Sequence, residues 1–169
     1  MRGAAVLFLT LYLLLAIVGE ANSALSGAHV WLFAGGLFVA YPALAAPVRG
    51  GLAVSVLGGL LCDAVSPVPF GTHAALFATA HVVVYNTRER LQRDETAVRV
   101  AVALVLNLVL YLAIGFVRIR AMPSGAIVWP RLLSDLLLSQ GAVLLCAPWF
   151  FALQERSLEL ARAIRARPA

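Results

Sequence analysis

The sequence predicts an all-α membrane protein: six transmembrane helices packed in one bundle, with a short amphipathic tail at the C-terminal end. Three observations carry this. The chain of 169 residues is 62% hydrophobic, and its mean hydropathy of +0.93 lies outside the range of ordinary soluble domains. Its apolar residues fall into blocks, and since a hydrocarbon core of about 30 Å needs roughly 20 apolar residues per helical span, those blocks leave room for about six. The gaps between them are short and carry most of the arginines, as loops that meet lipid headgroups do.

The charge balance is +5, with thirteen basic residues, all of them arginine. They are spread among the gaps and not gathered on one stretch, which points to orientation in a bilayer and not to nucleic acid. Cys62 and Cys146 each lie in an apolar run without a CxxC partner or a histidine at metal-ligand spacing, so buried free thiols are expected, with pairing left open. Arg2 followed by the apolar run 4–18 has the outline of a secretory leader. A retained first helix is preferred, because its loss would leave five spans.

The first helix is expected over residues 4–18, with Glu20, Asn22 and Ser23 marking its exit. The second covers 29–46, with Trp31 as an interfacial anchor, Gly35 and Gly36 allowing close packing, and Pro42 bending the last turn. The third, residues 50–65, reaches only about 24 Å at 1.5 Å per residue, short of the usual hydrocarbon thickness. Ser-Pro-Val-Pro-Phe-Gly then makes a stiff corner, since prolines cannot donate backbone hydrogen bonds and Gly71 can take a conformation closed to other residues. Thr72 is the expected N-cap of the fourth helix, which runs through Tyr85 into the charged segment NTRERLQRDET.

The fifth helix is placed at 97–116, and a loop holding Arg118, Arg120, Pro123 and Gly125 leads to Trp129, a second interfacial anchor. Pro130 starts the sixth, which ends near 151 and carries Asp135 and Gln140 inside it. Beyond it Leu153, Ser157, Leu160 and Ile164 line one side of a separate surface helix. Residues 1–153 thus form a transmembrane domain and 154–169 a cytoplasmic tail. With a cytoplasmic amino terminus, ten arginines lie inside (Arg2, Arg49, Arg88, Arg90, Arg93, Arg99, Arg156, Arg162, Arg165, Arg167) against Arg118, Arg120 and Arg131 outside. Both termini are therefore expected in the cytoplasm, with the corner after the third helix facing outward.

Within the third helix Gly51, Ser55, Gly59 and Asp63 fall four residues apart, giving one face of small side chains that ends in a carboxylate. Such a face accepts another helix, from this bundle or from a partner. An ionised carboxylate there needs water, a cation or donors, so Asp63 is expected to pair with Arg118 or Arg131, to meet a partner, or to reach the headgroups. Arg131 and Asp135, four apart, are expected to pair along one helix face. His81 and Asn107 suit cross-helix hydrogen bonds, while His29 and His73 are expected at interfaces. The chain has no HExxH, Gly-rich phosphate loop or GxSxG elbow, so neither catalysis nor a cofactor or metal is expected.

Gly58-Gly59-Leu60-Leu61-Cys62-Asp63, then Ser66-Pro67, Phe70-Gly71-Thr72-His73 and Arg88-Glu89-Arg90, set in a six-span layout, resemble the bacterial rod-shape-determining protein MreD family. The specific part of the resemblance spans residues 51–93, with Gly59, Asp63 and Gly71 at matching positions. Cys62 stands where a larger aliphatic residue is expected, and the corner carries two prolines. The resemblance implies a non-enzymatic scaffold of the bacterial inner membrane, binding MreC and through it MreB filaments and the peptidoglycan polymerase and transpeptidase of cell elongation. It also implies a fold similar to the membrane substrate-binding subunits of vitamin-uptake transporters. The alternative function follows from that: a small molecule held near the outer helix ends by Asp63, Asn107, Trp129 or Asp135.

Overall fold

The computed structural model describes residues 2–91, 95–120 and 129–166, and these hold six α-helices and no strand. The helices are α1 (Arg2–Leu25), α2 (Gly35–Ala45), α3 (Val48–Val65), α4 (Thr72–Thr87), α5 (Thr96–Arg120) and α6 (Trp129–Ala166). Four stretches, Gly3–Ala28, Val48–Val65, Thr96–Arg120 and Pro130–Ala161, are long and apolar enough to cross a membrane, and the chain is a membrane protein. The other two helices are short. With 11 and 16 residues, α2 and α4 reach only about 17 and 24 Å, so of the six expected transmembrane helices these two are the short ones, while α3, the one expected to fall short, is among the four long enough to span.

The shortness of α2 has a visible cause. The chain leaves α1 through a 3-10 turn at Ser26–Ala28, His29 takes a left-handed conformation with φ of 57°, and helix resumes only at Gly35. Non-helical backbone beside hydrocarbon must find its hydrogen bonds within the protein. Here side chains from three helices supply them. Asn22 of α1 brackets Leu32, its Oδ1 accepting from the backbone N–H at 2.7 Å and its Nδ2 donating to the carbonyl at 3.0 Å. On α6, Asp135 accepts from the Trp31 N–H at 3.2 Å, Ser139 accepts from the Phe33 N–H at 2.9 Å, and Arg131 donates to the His29 carbonyl at 3.0 Å. On α5, Asn107 accepts from the Gly36 N–H at 3.1 Å.

The expected Arg131 to Asp135 pair is therefore not formed. Spacing makes the two side chains neighbours, but unpaired backbone groups of the 29–34 segment lie within reach of each, and a buried peptide group left unsatisfied costs more than a helix-surface ion pair returns.

Once past that segment, α2 is buried from Gly35 to Leu44 and enclosed by α3, α4, α5 and α6. Gly36 permits the close approach of α5, since a Cβ there would lie 2.2 Å from the Ala103 carbonyl oxygen. Phe38 meets Phe77, and Tyr41 stacks on Phe151, so the core is built around this short central helix.

The sixth helix and the tail, expected as separate, are one helix of 38 residues, about 57 Å long, that continues through Pro148. Position 154 is inside the packing: Gln154 is fully buried and accepts from the Thr10 hydroxyl at 2.9 Å, while Glu155 pairs with Arg99. The other helix ends also differ from expectation. α1 continues through Glu20 and Asn22, and α5 through Arg118 to Arg120, whose guanidinium lies over the Phe116 ring at 4.4 Å. Cys62 is buried and Cys146 exposed, both free, so the second thiol is not the buried one expected. Arg93, Pro123, Gly125 and Arg167 lie outside the described residues, as do the side chains of Arg2, Trp129, Arg162, Ile164 and Arg165.

Removing the bracket at Leu32 exposes its cost directly. Asn22→Ala should lower stability in detergent by about 1–3 kcal/mol, read by equilibrium unfolding, whereas the same change at exposed Asn86 should leave it within error.

Candidate functional site

All four small-face residues of α3 are buried, and the face is consumed within the bundle. A Cβ on Gly59 would sit 2.5 Å from the Cα of Ala74, and one on Gly51 would meet the Pro42 carbonyl at 2.6 Å and the His81 ring at 2.8 Å. Ser55 and His81 share a hydrogen bond of 3.0 Å between Oγ and Nδ1. Small residues thus bring α4 against α3 along its length, and no part of that face remains open to a partner helix. His81 and Asn107 serve different contacts, Ser55 and Gly36 respectively. The other polar side-chain atom of each, His81 Nε2 and Asn107 Nδ2, is buried without a partner among the described residues.

Asp63, in the last turn of α3, is only 4% exposed and accepts four hydrogen bonds from the start of α4. Its Oδ2 takes the N–H groups of Gly71 at 3.0 Å and Ala74 at 3.2 Å; its Oδ1 takes the N–H of His73 at 2.9 Å and the His73 Nδ1 at 2.8 Å. The corner makes this possible. Ser66 is extended, as a residue before proline must be, and Gly71, with φ of 94°, turns the chain so that the free N–H groups of α4 face back on α3.

Three expectations change as a result. Asp63 reaches neither the headgroups nor Arg118 or Arg131, because the N–H groups at a helix start carry partial positive charge and lie nearer. Thr72 is not the cap of α4; Gly71 takes that position, the capping carboxylate comes from the neighbouring helix, and the Thr72 hydroxyl donates to the Pro69 carbonyl at 2.6 Å. His73 is buried at 3% exposure, not interfacial. What the clamp leaves outside is an apolar corner in which Val65 is 66% and Phe70 73% exposed.

Beside this corner lies a cavity of about 680 Å³, bounded by α1, the 31–35 segment, the end of α3 and α5. Most of its wall is apolar, with Leu15, Phe33, Phe38 and Ile114 among the contributors, while Glu20, His73, Tyr111 and Arg118 supply polar atoms. The Tyr111 hydroxyl donates to the Leu132 carbonyl at 3.1 Å. Of the expected ligand contacts, Asp63, Asn107 and Asp135 do not line it, their acceptors being taken up by backbone N–H groups, and the Trp129 side chain lies outside the described residues.

The family model described as rod shape-determining protein MreD matches residues 3–156, which take in the Asp63 corner, the cavity and all of the bundle but the first residue of α1 and the last ten of α6. The chain belongs to the MreD family. Membership supports a role in rod-shape determination. Neither the curated proteins nor the solved structures contained a match. Within this MreD-family bundle, the sequence reading took Glu20 and Asn22 only as markers of a helix exit and passed over Ser139. A signal for Ser139 was present: Arg131, Asp135 and Ser139 repeat every four residues along the first turns of α6 and so share one face.

Because Asp63 satisfies three backbone donors at once, Asp63→Ala should destabilise the bundle by about 3–5 kcal/mol, and Asp63→Asn, which still accepts, by clearly less. Gly59→Leu should prevent α3 and α4 from closing; both effects are measured by thermal unfolding of the purified protein in detergent.

Proposed function

We propose that the protein is a non-enzymatic scaffold of the bacterial inner membrane that binds MreC, and so joins MreB filaments to the peptidoglycan polymerase and transpeptidase of cell elongation. Family membership supports the general role, and one structural observation carries the contact: Val65 and Phe70 stand exposed on a corner that Asp63 holds rigid. Exposed apolar side chains on a preorganised loop bind with little ordering cost. The interior face of α3 is not the contact, since it is filled by α4.

The corner faces the periplasm in this reading. Arg88 donates to the Ala46 carbonyl and Arg99 pairs with Glu155, placing these arginines at the end of the bundle away from Arg131 and His29. With the arginine-rich end inside, both termini are cytoplasmic. A second reading, a membrane substrate-binding subunit for small-molecule uptake, draws on the cavity of about 680 Å³.

The scaffold reading is tested by capture of MreC from membranes. A Val65→Ser, Phe70→Ser protein that melts like the wild type should retain MreC about tenfold less well, and full retention would remove the corner from the interface.

A further inference from the structure

We infer that the cavity beside the corner holds one zwitterionic phospholipid of the phosphatidylethanolamine type, with an acyl chain along the apolar wall, its phosphate on Arg118 and its ammonium on Glu20. Access comes first. Tyr12, Ala16, Ala64 and Val65 line the cavity and are themselves exposed, and they belong to α1 and α3, both long and apolar enough to cross a membrane. Near its start α1 packs tightly, with Leu7 and Leu11 buried. Toward its other end Leu15, Ala16 and Gly19 of α1 line the cavity together with Leu61, Ala64 and Val65 of α3, so exposed and mainly apolar residues of both helices border it. A ligand reaching a cavity so bordered comes from the bilayer more readily than from water.

Charge comes second. Arg118 and Glu20 both contribute to the wall, yet no ion pair joins them, and neither has a hydrogen-bond partner among the described residues. Charged side chains on membrane helices are costly unless matched. A purely apolar occupant would match neither, and a simple anion would leave Glu20 opposed to it. A headgroup carrying one negative and one positive charge meets both, and arginine is well suited to a phosphate. A volume of about 680 Å³ is too small for a whole diacyl lipid, so the headgroup and one acyl chain occupy the cavity and the second chain stays in the bilayer.

Native mass spectrometry of the full chain in detergent, with added palmitoyl-oleoyl phosphatidylethanolamine, tests the assignment. The wild type should keep one such lipid under activation that strips the others, in preference to the phosphatidylglycerol analogue. Arg118→Gln should lower the retained fraction about tenfold. Ala16→Phe, which narrows the opening from an exposed position, should lower it independently, with the lipid-free melting temperature reporting that each variant is folded. Equal retention in the wild type and Ala16→Phe, no preference between the two headgroups, or a water-soluble metabolite in place of the lipid would overturn the proposal. The last result would favour the uptake reading and leave MreC capture by the corner unaffected.

Discussion

The carboxylate of Asp63 is the constraint on which the corner between α3 and α4 depends. A helix start inside a membrane protein presents N–H groups that water cannot reach, and α4 begins at such a place. Asp63 answers three of them from the neighbouring helix and takes the His73 ring as well. The arrangement requires α3 and α4 to approach closely, which the absence of a side chain at Gly59 allows, and a chain reversal through positive φ, which Gly71 supplies. One polar contact and two glycines therefore act together. A buried carboxylate that looks costly in isolation is stabilised by the same backbone groups it stabilises.

The same principle explains the other polar residues in the bundle. Residues 30–34 are not helical, and Asn22, Asp135 and Ser139 take up their backbone groups while Asn107 holds the first turn of α2. These side chains would be read as a relay or a ligand site if only their polarity were considered. Their partners show a different use: they replace the hydrogen bonds that an unbroken helix would have made internally. By drawing the segment against α1, α5 and α6, they also place Trp31, Leu32 and Phe33 on the wall of the cavity.

Rigidity at the corner and openness beside it belong together. The clamp spends its polar groups inward, so the surface it leaves is apolar, with Val65 on both the exposed corner and the cavity wall. A partner at the corner and a lipid in the cavity would thus be neighbours across one residue. In the proposed scaffold, lipid occupancy would then bear on partner binding through packing at Val65, without any moving part.

Hydropathy, block length and the proline and glycine breaks are local properties, so the sequence by itself determined the all-α membrane class, the extent of α3 and the position of the corner after it. The four-residue repeat of Gly51, Ser55, Gly59 and Asp63 likewise determined that these residues share a face. Which neighbour fills that face was decided only in the tertiary structure, because periodicity describes one helix and not its partner. The short α2 was equally hidden, since residues 29–34 are apolar enough to continue a helix and break only where side chains from distant helices offer better hydrogen bonds. Asp63 shows both sides of this: its place on the face could be read from spacing, while its acceptance of the α4 N–H groups could not, because backbone donors are the same in every residue but proline and leave no mark in a sequence.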